Sequence, residues 1–195
     1  TFRPSYVSNY FVSNHFYWYN NWEKSSIQKF KVTFKLNDRL RFEANRYTIN
    51  NWIIYGNDAR PVQVGEKMEV NNLLLFHWLK LGHWNLKSQI EFNDVSDRRL
   101  PTPEFAVRES FYYERALFKK TMPTQIGVDF YYQSAFEGMV YHPASRQFNL
   151  SPGNMIGDYP LFDVFFSAKV SNLKLFAILQ RNKIFAINLA TKFIN

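Results

Sequence analysis

Cysteine is absent from this chain of 195 residues. Without cysteine the protein has no disulfide framework, no thiolate nucleophile and no metal site built on sulfur. Long apolar runs are absent too. A membrane-spanning helix needs roughly 20 consecutive apolar residues, and the most apolar stretch, residues 73–79, is far shorter. The sequence therefore excludes a helical membrane protein and a small disulfide-stabilised domain.

Motifs for catalysis and for cofactor binding are also missing. The four histidines are isolated in sequence: His15, His77, His83 and His142. No H-E-x-x-H, glycine-rich phosphate loop or G-x-S-x-G occurs. A barrel hydrolase using Ser13 with His15, or Ser145, is an alternative, but a hydroxyl near a histidine is common by chance. Acidic pairs such as Glu66 with Glu69 are interpreted as solvated rather than as calcium ligands. We predict no catalytic residue, no metal, no cofactor and no enzymatic activity.

What the chain does contain is a regular alternation of two kinds of connection. Tight turns are predicted at residues 37–39, 81–83, 119–123 and 171–172, and long polar loops at 20–26, 56–67, 94–104 and 137–158. If every second connection lies at the same edge, short turns line one rim and long loops the other. Transmembrane β-barrels are connected in this way.

Between the connections, apolar and polar residues alternate with a period of two. In residues 29–36, Phe30, Val32 and Phe34 share one face and lysines occupy the other. An amphipathic helix needs apolar residues three and four positions apart, which this segment lacks. The pattern recurs in residues 40–45, 86–93, 125–133, 162–170 and 173–179, and more weakly in 6–19, 70–81 and 105–118, with 184–193 as the last strand. The whole chain, residues 1–195, is thus predicted to be one domain of nine or ten strands.

The strand pattern assigns a side to individual residues. The set predicted to face lipid is Phe30, Val32, Phe34, Phe42, Ile90, Phe92, Val128, Phe130, Val164 and Phe166. The set predicted to face the lumen is Lys29, Lys31, Lys35, Arg41, Glu43, Lys87, Glu91, Asp129, Asp163 and Lys169.

A soluble barrel or sandwich also alternates, because one face packs on a core and the other meets water. Two features favour the membrane. The apolar faces carry almost no charge, whereas the opposite faces mix both signs with amides and hydroxyls, as a hydrated lumen would. The predicted strands also exceed the usual five or six residues of soluble sheets. The fold class predicted is all-β, an antiparallel up-and-down transmembrane β-barrel, or the C-terminal part of a larger one.

Aromatic residues make up 19% of the chain. A soluble aromatic core is one explanation, but barrels need aromatics in girdles at both membrane interfaces. The tryptophans lie close to predicted strand ends: Trp18, Trp22, Trp52, Trp78 and Trp84. We expect them to contribute to such girdles.

The formal net charge is +8, with 24 basic and 16 acidic residues. A basic balance can indicate a nucleic-acid partner. Here no run of basic residues exceeds two, as in Arg98-Arg99, and no nucleic-acid motif is present. We predict no nucleic-acid partner, and expect the cations to line a positively biased lumen or to contact anionic lipid.

The C-terminal third carries a recognisable series of motifs. Residues 131–150 read Y-Y-Q-S-A-F-E-G-M-V-Y-H-P-A-S-R-Q-F-N-L; a Tyr/His-Pro-Ala-x-x-x-Phe motif spans residues 141–148, Gly-x-Tyr-Pro spans 157–160, and F-D-V-F-F spans 162–166. This segment resembles the C-terminal part of the putative β-barrel porin family of Bacteroidota. The resemblance implies an outer-membrane barrel without catalytic residues. Members of that family are typically longer, and the connection at residues 181–183 is short where a long outer loop is expected. The chain is accordingly expected to be a portion of a longer protein.

These features predict a porin-like barrel of the bacterial outer membrane that allows passive diffusion of small polar solutes. The alternative is a non-conducting barrel that serves as a structural or accessory subunit of a larger outer-membrane complex for secretion or nutrient uptake. A barrel of eight to ten strands can be filled by its own side chains, which favours that alternative for a short chain. The expected partners are outer-membrane lipid and other outer-membrane subunits.

Overall fold

The computed structural model describes residues 1–118, 121–171, 173–180 and 183–191. Within these ranges the chain forms one short helix and fifteen strands. They are α1 (Tyr6–Asn9), β1 (Tyr10–Val12), β2 (Tyr17–Tyr19), β3 (Ser26–Asn37), β4 (Leu40–Asn50), β5 (Trp52–Tyr55), β6 (Pro61–Val64), β7 (Met68–Leu81), β8 (Trp84–Val95), β9 (Phe105–Leu117), β10 (Met122–Gln133), β11 (Phe136–His142), β12 (Gln147–Ile156), β13 (Leu161–Val170), β14 (Leu173–Gln180) and β15 (Lys183–Thr191).

Nine of the strands form one sheet in the order β15-β14-β13-β10-β9-β8-β7-β4-β3. Each pairs antiparallel with the next in the chain, apart from two inserted hairpins, β5–β6 and β11–β12. The predicted all-β, antiparallel, up-and-down architecture is confirmed. Among the described strands, β3 and β15 are the two ends of the sheet and do not pair with each other.

The connections separate onto two rims. Because neighbouring strands run in opposite directions, the β3–β4, β7–β8, β9–β10 and β13–β14 turns all lie at one edge of the sheet. Asn37 closes the first of them: its side-chain Oδ1 accepts hydrogen bonds from the backbone N–H groups of Arg39 and Leu40, at 2.8 and 3.1 Å. Gly82, at φ +61°, supplies the left-handed conformation that the β7–β8 turn needs. The predicted turns at 119–123 and 171–172 include residues outside the described ranges.

Two of the predicted loops contain strands. The loop predicted at 137–158 is mostly the β11–β12 hairpin, and the loop at 56–67 contains β6. The prolines in these two segments do not prevent strand formation. Pro152 falls where the β11–β12 register shifts, in a bulge that needs no ladder hydrogen bond. Pro61 is the first residue of β6, another position that tolerates proline.

The N-terminal segment also differs from its prediction. Residues 6–19 were a candidate strand, but they form α1 and the β1–β2 hairpin. Trp18 fixes this arrangement, because its indole stacks on Phe11 at 4.6 Å and its Nε1 donates to the carbonyl of Val7 at 2.8 Å. Trp18 is buried, so it does not belong to a membrane-facing girdle.

The nine-stranded sheet is staggered. One row of directly opposite residues runs from Leu40 of β4 across β7, β8, β9 and β10 to Phe162 of β13. Leu40 adjoins a tight turn, whereas Phe162 lies eight residues before Val170, where β13 reaches its own tight turn. Eight residues cover about 27 Å along a strand, and the five inter-strand steps cover about 24 Å. If the tight turns all lie at the same height along a barrel axis, the strands are inclined to that axis by about 45°. This value is close to the tilt of barrel strands.

Gly127 is required where two aromatic rings meet over β10. The rings of Tyr112 and Phe165 flank it with their centroids 6.3 Å apart. A Cβ at this position would lie 2.5 Å from the Phe111 carbonyl oxygen and 2.8 Å from Phe165 Cζ.

Replacing Gly127 with valine is expected to lower the free energy of unfolding by about 3 kcal/mol, because an overpacked site must shift its backbone. Urea unfolding in detergent micelles measures the change. A Cβ added at Gly65 would meet no neighbour within 4 Å, so Gly65→Val is the matched control and should change stability little. Equal losses in both variants would contradict a specific steric role for Gly127.

Candidate functional site

The register of the sheet sorts its side chains onto two faces. Directly opposite residues share a face, and the ten residues predicted to face lipid all lie on one side. The ten residues predicted to face the lumen all lie on the other. We call these the apolar face and the polar face. The pairing brings each set together, while the assignment of one face to lipid and the other to a lumen stays a prediction.

The two faces differ in exposure. Among the sheet side chains whose exposure the structure describes, all the exposed large hydrophobic ones except Ile27 lie on the apolar face, including Phe30 at 69% and Phe162 at 57%. On the polar face, Leu74, Phe76 and Phe165 are only partly exposed. Side chains diverge on the convex side of a curved sheet and converge on the concave side. The sheet therefore curves toward its polar face, as a barrel wall does toward its interior.

A ladder of buried asparagines crosses three strands on the polar face. Asn45 donates to Asn72 Oδ1 at 2.9 Å, and Asn72 donates to Asn93 Oδ1 and Glu91 Oε1, both at 2.8 Å. Asn93 in turn donates to the carbonyl of Pro103 at 3.0 Å, which ties the ladder to the loop after β8. Each asparagine is less than one-tenth exposed. Buried amides of this kind remain favourable only while their partners are present.

Basic residues gather on the polar face near the tight-turn rim, around a cavity of about 460 Å³. We call it the basic cavity. Its charged lining is Lys35, Asp38, Arg39, Arg41, Lys87 and Arg108. The uncharged part of its lining includes Phe76, Trp78, Gln89 and Ser110. Four of these residues lie in one row across the sheet, where Arg41 pairs with Phe76, Phe76 with Gln89, and Gln89 with Arg108.

Two of these cations are paired with carboxylates. Lys35 Nζ lies 2.7 Å from Asp38 Oδ1, and this hydrogen bond lowers the pKa of Asp38. Glu43 contacts both Lys31, at 2.9 Å, and Arg41, at 3.3 Å. Within the described part of the chain, no ion pair is formed by Arg39, Lys87 or Arg108.

A second cavity, of about 790 Å³, lies at the long-loop rim. It is enclosed by the ends of β7 and β8, the 96–104 loop and the start of β11. Its charged lining is mostly acidic: Asp94, Glu104 and Glu137 against Arg98. Arg99 braces the loop by hydrogen bonding to Asp97, which lowers the pKa of that carboxyl group. The charge on the cavities thus changes sign between the two rims.

Aromatic clusters lie near both ends of the apolar face. At the tight-turn rim, Trp84 stacks on Phe111 at 5.1 Å and meets Tyr113 edge-on at 5.0 Å. At the long-loop rim, the linked rings are Phe92, Phe105 and Tyr132 in one group and Phe130 with Phe162 in another. Trp84 therefore lies where a girdle was predicted. Trp78 does not, because it lies on the polar face opposite Lys87.

The apolar face also carries polar groups that the sequence pattern did not reveal. Near the long-loop rim, Glu69 bridges Arg46 at 2.7 Å and Lys67 at 2.6 Å. Farther from that rim, Glu109 accepts a hydrogen bond of 2.6 Å from Ser88, which is directly opposite. The prediction of an almost uncharged apolar face is wrong at Glu109.

Ser145, one of the serines considered for hydrolysis, lies beside His142, a histidine with which it was not paired in the sequence analysis. Ser145 Oγ lies 3.4 Å from His142 Nδ1, and the Ser145 backbone N–H donates to the same nitrogen. Ser145 is fully buried in the β11–β12 turn, so a substrate cannot reach it. In the part of the chain that the structure describes, no group of His, Cys, Asp and Glu could hold a metal ion. The same ranges contain no helix long and apolar enough to cross a membrane.

Arg39, Trp78 and Arg108 belong to the basic cavity but were not predicted from the sequence. Residues 105–118 carry charged or aromatic residues on both faces, so the sequence pattern alone does not assign Arg108 to one face. Pairing it with Gln89, whose face is clear from residues 86–93, would have resolved the ambiguity.

A staggered antiparallel sheet, polar on its concave face and apolar on its convex face, is typical of the β-barrel proteins. A family model described as a putative porin matches residues 1–186. The chain belongs to this putative porin family, which confirms the resemblance at the level of the family. No curated protein matches the chain.

Proposed function

We propose that the chain forms the wall of a porin-like barrel in the bacterial outer membrane, with outer-membrane lipid as its surroundings. The barrel allows small polar solutes to diffuse passively and carries out no reaction. One observation carries the proposal: an exposed apolar face lies back to back with a polar face whose cations and amides converge. Membership of the putative porin family supports the same function at a coarse level.

The height of the apolar face supports a membrane setting. Trp84 and Phe92 belong to the aromatic clusters at opposite ends of β8 and are eight residues apart. That separation is about 27 Å along the strand, or about 19 Å along the axis at a tilt of 45°. The outward apolar band of an outer-membrane barrel is about 25 Å tall and is flanked by aromatic girdles. The clusters therefore have roughly the spacing of two membrane interfaces.

The polar face supports a hydrated passage. Lys29, Lys87 and Lys169 lie on the same face as Asp129 and Asp163. Burying this mixture against a dry core would leave several charges poorly solvated. Water in a lumen solvates them, and rows of opposite charge then set the selectivity for ions.

Purified protein added to a planar lipid bilayer in potassium chloride is expected to give stepwise increases in conductance. Detergent alone, and protein denatured by heat before addition, serve as controls. Protein that inserts into vesicles and resists protease, yet gives no conductance steps, would contradict the porin function and support the accessory-subunit alternative.

A further inference from the structure

We infer that the basic cavity is a binding site for a small oxyanion carrying at least two negative charges, a phosphate or a dicarboxylate. The inference deepens the proposed function, since it identifies the class of solute that pauses inside the barrel. The shared chemistry is a compact group of anionic oxygens.

The charge of the cavity is the first argument. Among the described residues, Asp38 is the only carboxylate in its lining, and it is already paired with Lys35. Arg41 shares Glu43 with Lys31. Arg39, Lys87 and Arg108 carry charges that no ion pair offsets in the described part of the chain. One bound dianion would offset two of them, because Coulomb attraction is strongest where charges converge around a confined volume.

The second argument is how the cations are held. The charged groups of Arg39 and Lys87 lie over the ring of Trp78, at 5.9 and 5.3 Å, and Lys87 also lies 5.3 Å from the ring of Tyr112. Arg108 lies 5.9 Å from the ring of Tyr131. A ring steadies a cation without neutralising it. The cations are therefore held in place while they remain charged, so less conformational entropy is lost on binding.

The aromatic platform is itself fixed. Trp78 Nε1 donates to Asn85 Oδ1 at 3.1 Å, and the Trp78 backbone N–H donates to the carbonyl of Arg39 at 2.7 Å. Asn85 is almost completely buried. Trp78 therefore links the turn that carries Arg39 to the strand that carries Lys87.

The size and neutral donors of the cavity fit the same ligand. Its volume of about 460 Å³ lies within the usual range for small-molecule sites and holds a phosphate or a four-carbon dicarboxylate with some water. Gln89 and Ser110 add an amide and a hydroxyl between the cations in register. Charge-assisted hydrogen bonds from guanidinium and ammonium groups to oxyanions are the strongest available to such a site.

The test is equilibrium binding of inorganic phosphate and of succinate to the full chain in detergent micelles, by calorimetry at low ionic strength. The double variant Lys87→Gln with Arg108→Gln should bind both anions at least tenfold more weakly. Lys29→Gln is the matched control, because Lys29 also lies over a ring, 5.0 Å from that of Tyr47, on the same face but outside the cavity. It should bind as the natural protein does. Exchanging the two cations, Lys87→Arg with Arg108→Lys, should retain binding.

Unchanged affinity in the double variant, or an equal loss in the Lys29 control, would overturn the site. Acetate that binds as tightly as succinate would overturn the requirement for two charges. Phosphate binding without succinate binding would assign the site to tetrahedral oxyanions, and the converse to dicarboxylates. Calorimetry measures binding without ion flow, so it tests the site independently of the porin function. A chain that binds phosphate but gives no conductance would contradict the porin function and support the anion site.

Discussion

Val128→Arg is expected to be the most damaging single substitution on the apolar face. Val128 lies near the middle of β10, directly opposite Phe111 on one side and Val164 on the other. If this face contacts lipid, an arginine here lies near the bilayer midplane, where it costs about 2–4 kcal/mol. Folding into phospholipid vesicles, followed by urea titration, measures the loss.

The matched control for this prediction is Gln125→Arg in the same strand. Gln125 lies on the polar face, where its amide donates to Glu114 at 2.9 Å, so an arginine there gains a carboxylate partner. The control is expected to fold with little change in stability. If the two variants were equally stable, or if Val128→Arg folded as well as the natural chain, the apolar face would not be the one that contacts lipid.

Asn72→Ala is expected to have an effect of similar size, because Asn72 is the centre of the asparagine ladder. The change removes the acceptor for Asn45 and the donors to Asn93 and Glu91. Each buried group left without a partner costs about 1–3 kcal/mol, so the free energy of unfolding should fall by about 3 kcal/mol or more. Urea unfolding in micelles gives the value.

Its neighbour Asn71 provides the comparison. Asn71 points to the opposite face and makes one exposed hydrogen bond of 3.2 Å to Asp94. Asn71→Ala is expected to cost less than about 1 kcal/mol, as for other exposed polar contacts. Similar losses of stability in the two alanine variants would mean that water satisfies the hydrogen bonds that Asn72 leaves unpaired. The polar face would then be more hydrated than the burial of the asparagines indicates.

The sheet was predictable because its signal is local. An alternation such as that of residues 29–36 fixes which side chains share a face, and pairing with the next strand carries the assignment across the sheet. The face of every residue predicted for lipid or lumen followed from this rule. Membership of the putative porin family was likewise visible in motifs between Tyr141 and Phe166.

The features that escaped prediction depend on tertiary context. The β11–β12 hairpin resembles a loop in sequence because Pro152 and Gly153 interrupt its alternating pattern. The strand can include them because they lie in a bulge, and the bulge is known only from the structure. Arg108 was missed because Glu109 beside it gave the opposite face a charge. Glu109 is tolerated there with Ser88 as a hydrogen-bond donor, and that contact depends on the inter-strand register.

The slope of the strands has a consequence for anything that moves along the polar face. Arg41 and Arg108 belong to one row, three inter-strand steps apart, but a row perpendicular to strands tilted by about 45° climbs about 10 Å over that distance. The cations therefore lie at successive heights along the barrel axis instead of at a single height. An anion leaving Arg41 for Arg108 would travel sideways as well as upward, passed from one residue to the next along a spiral.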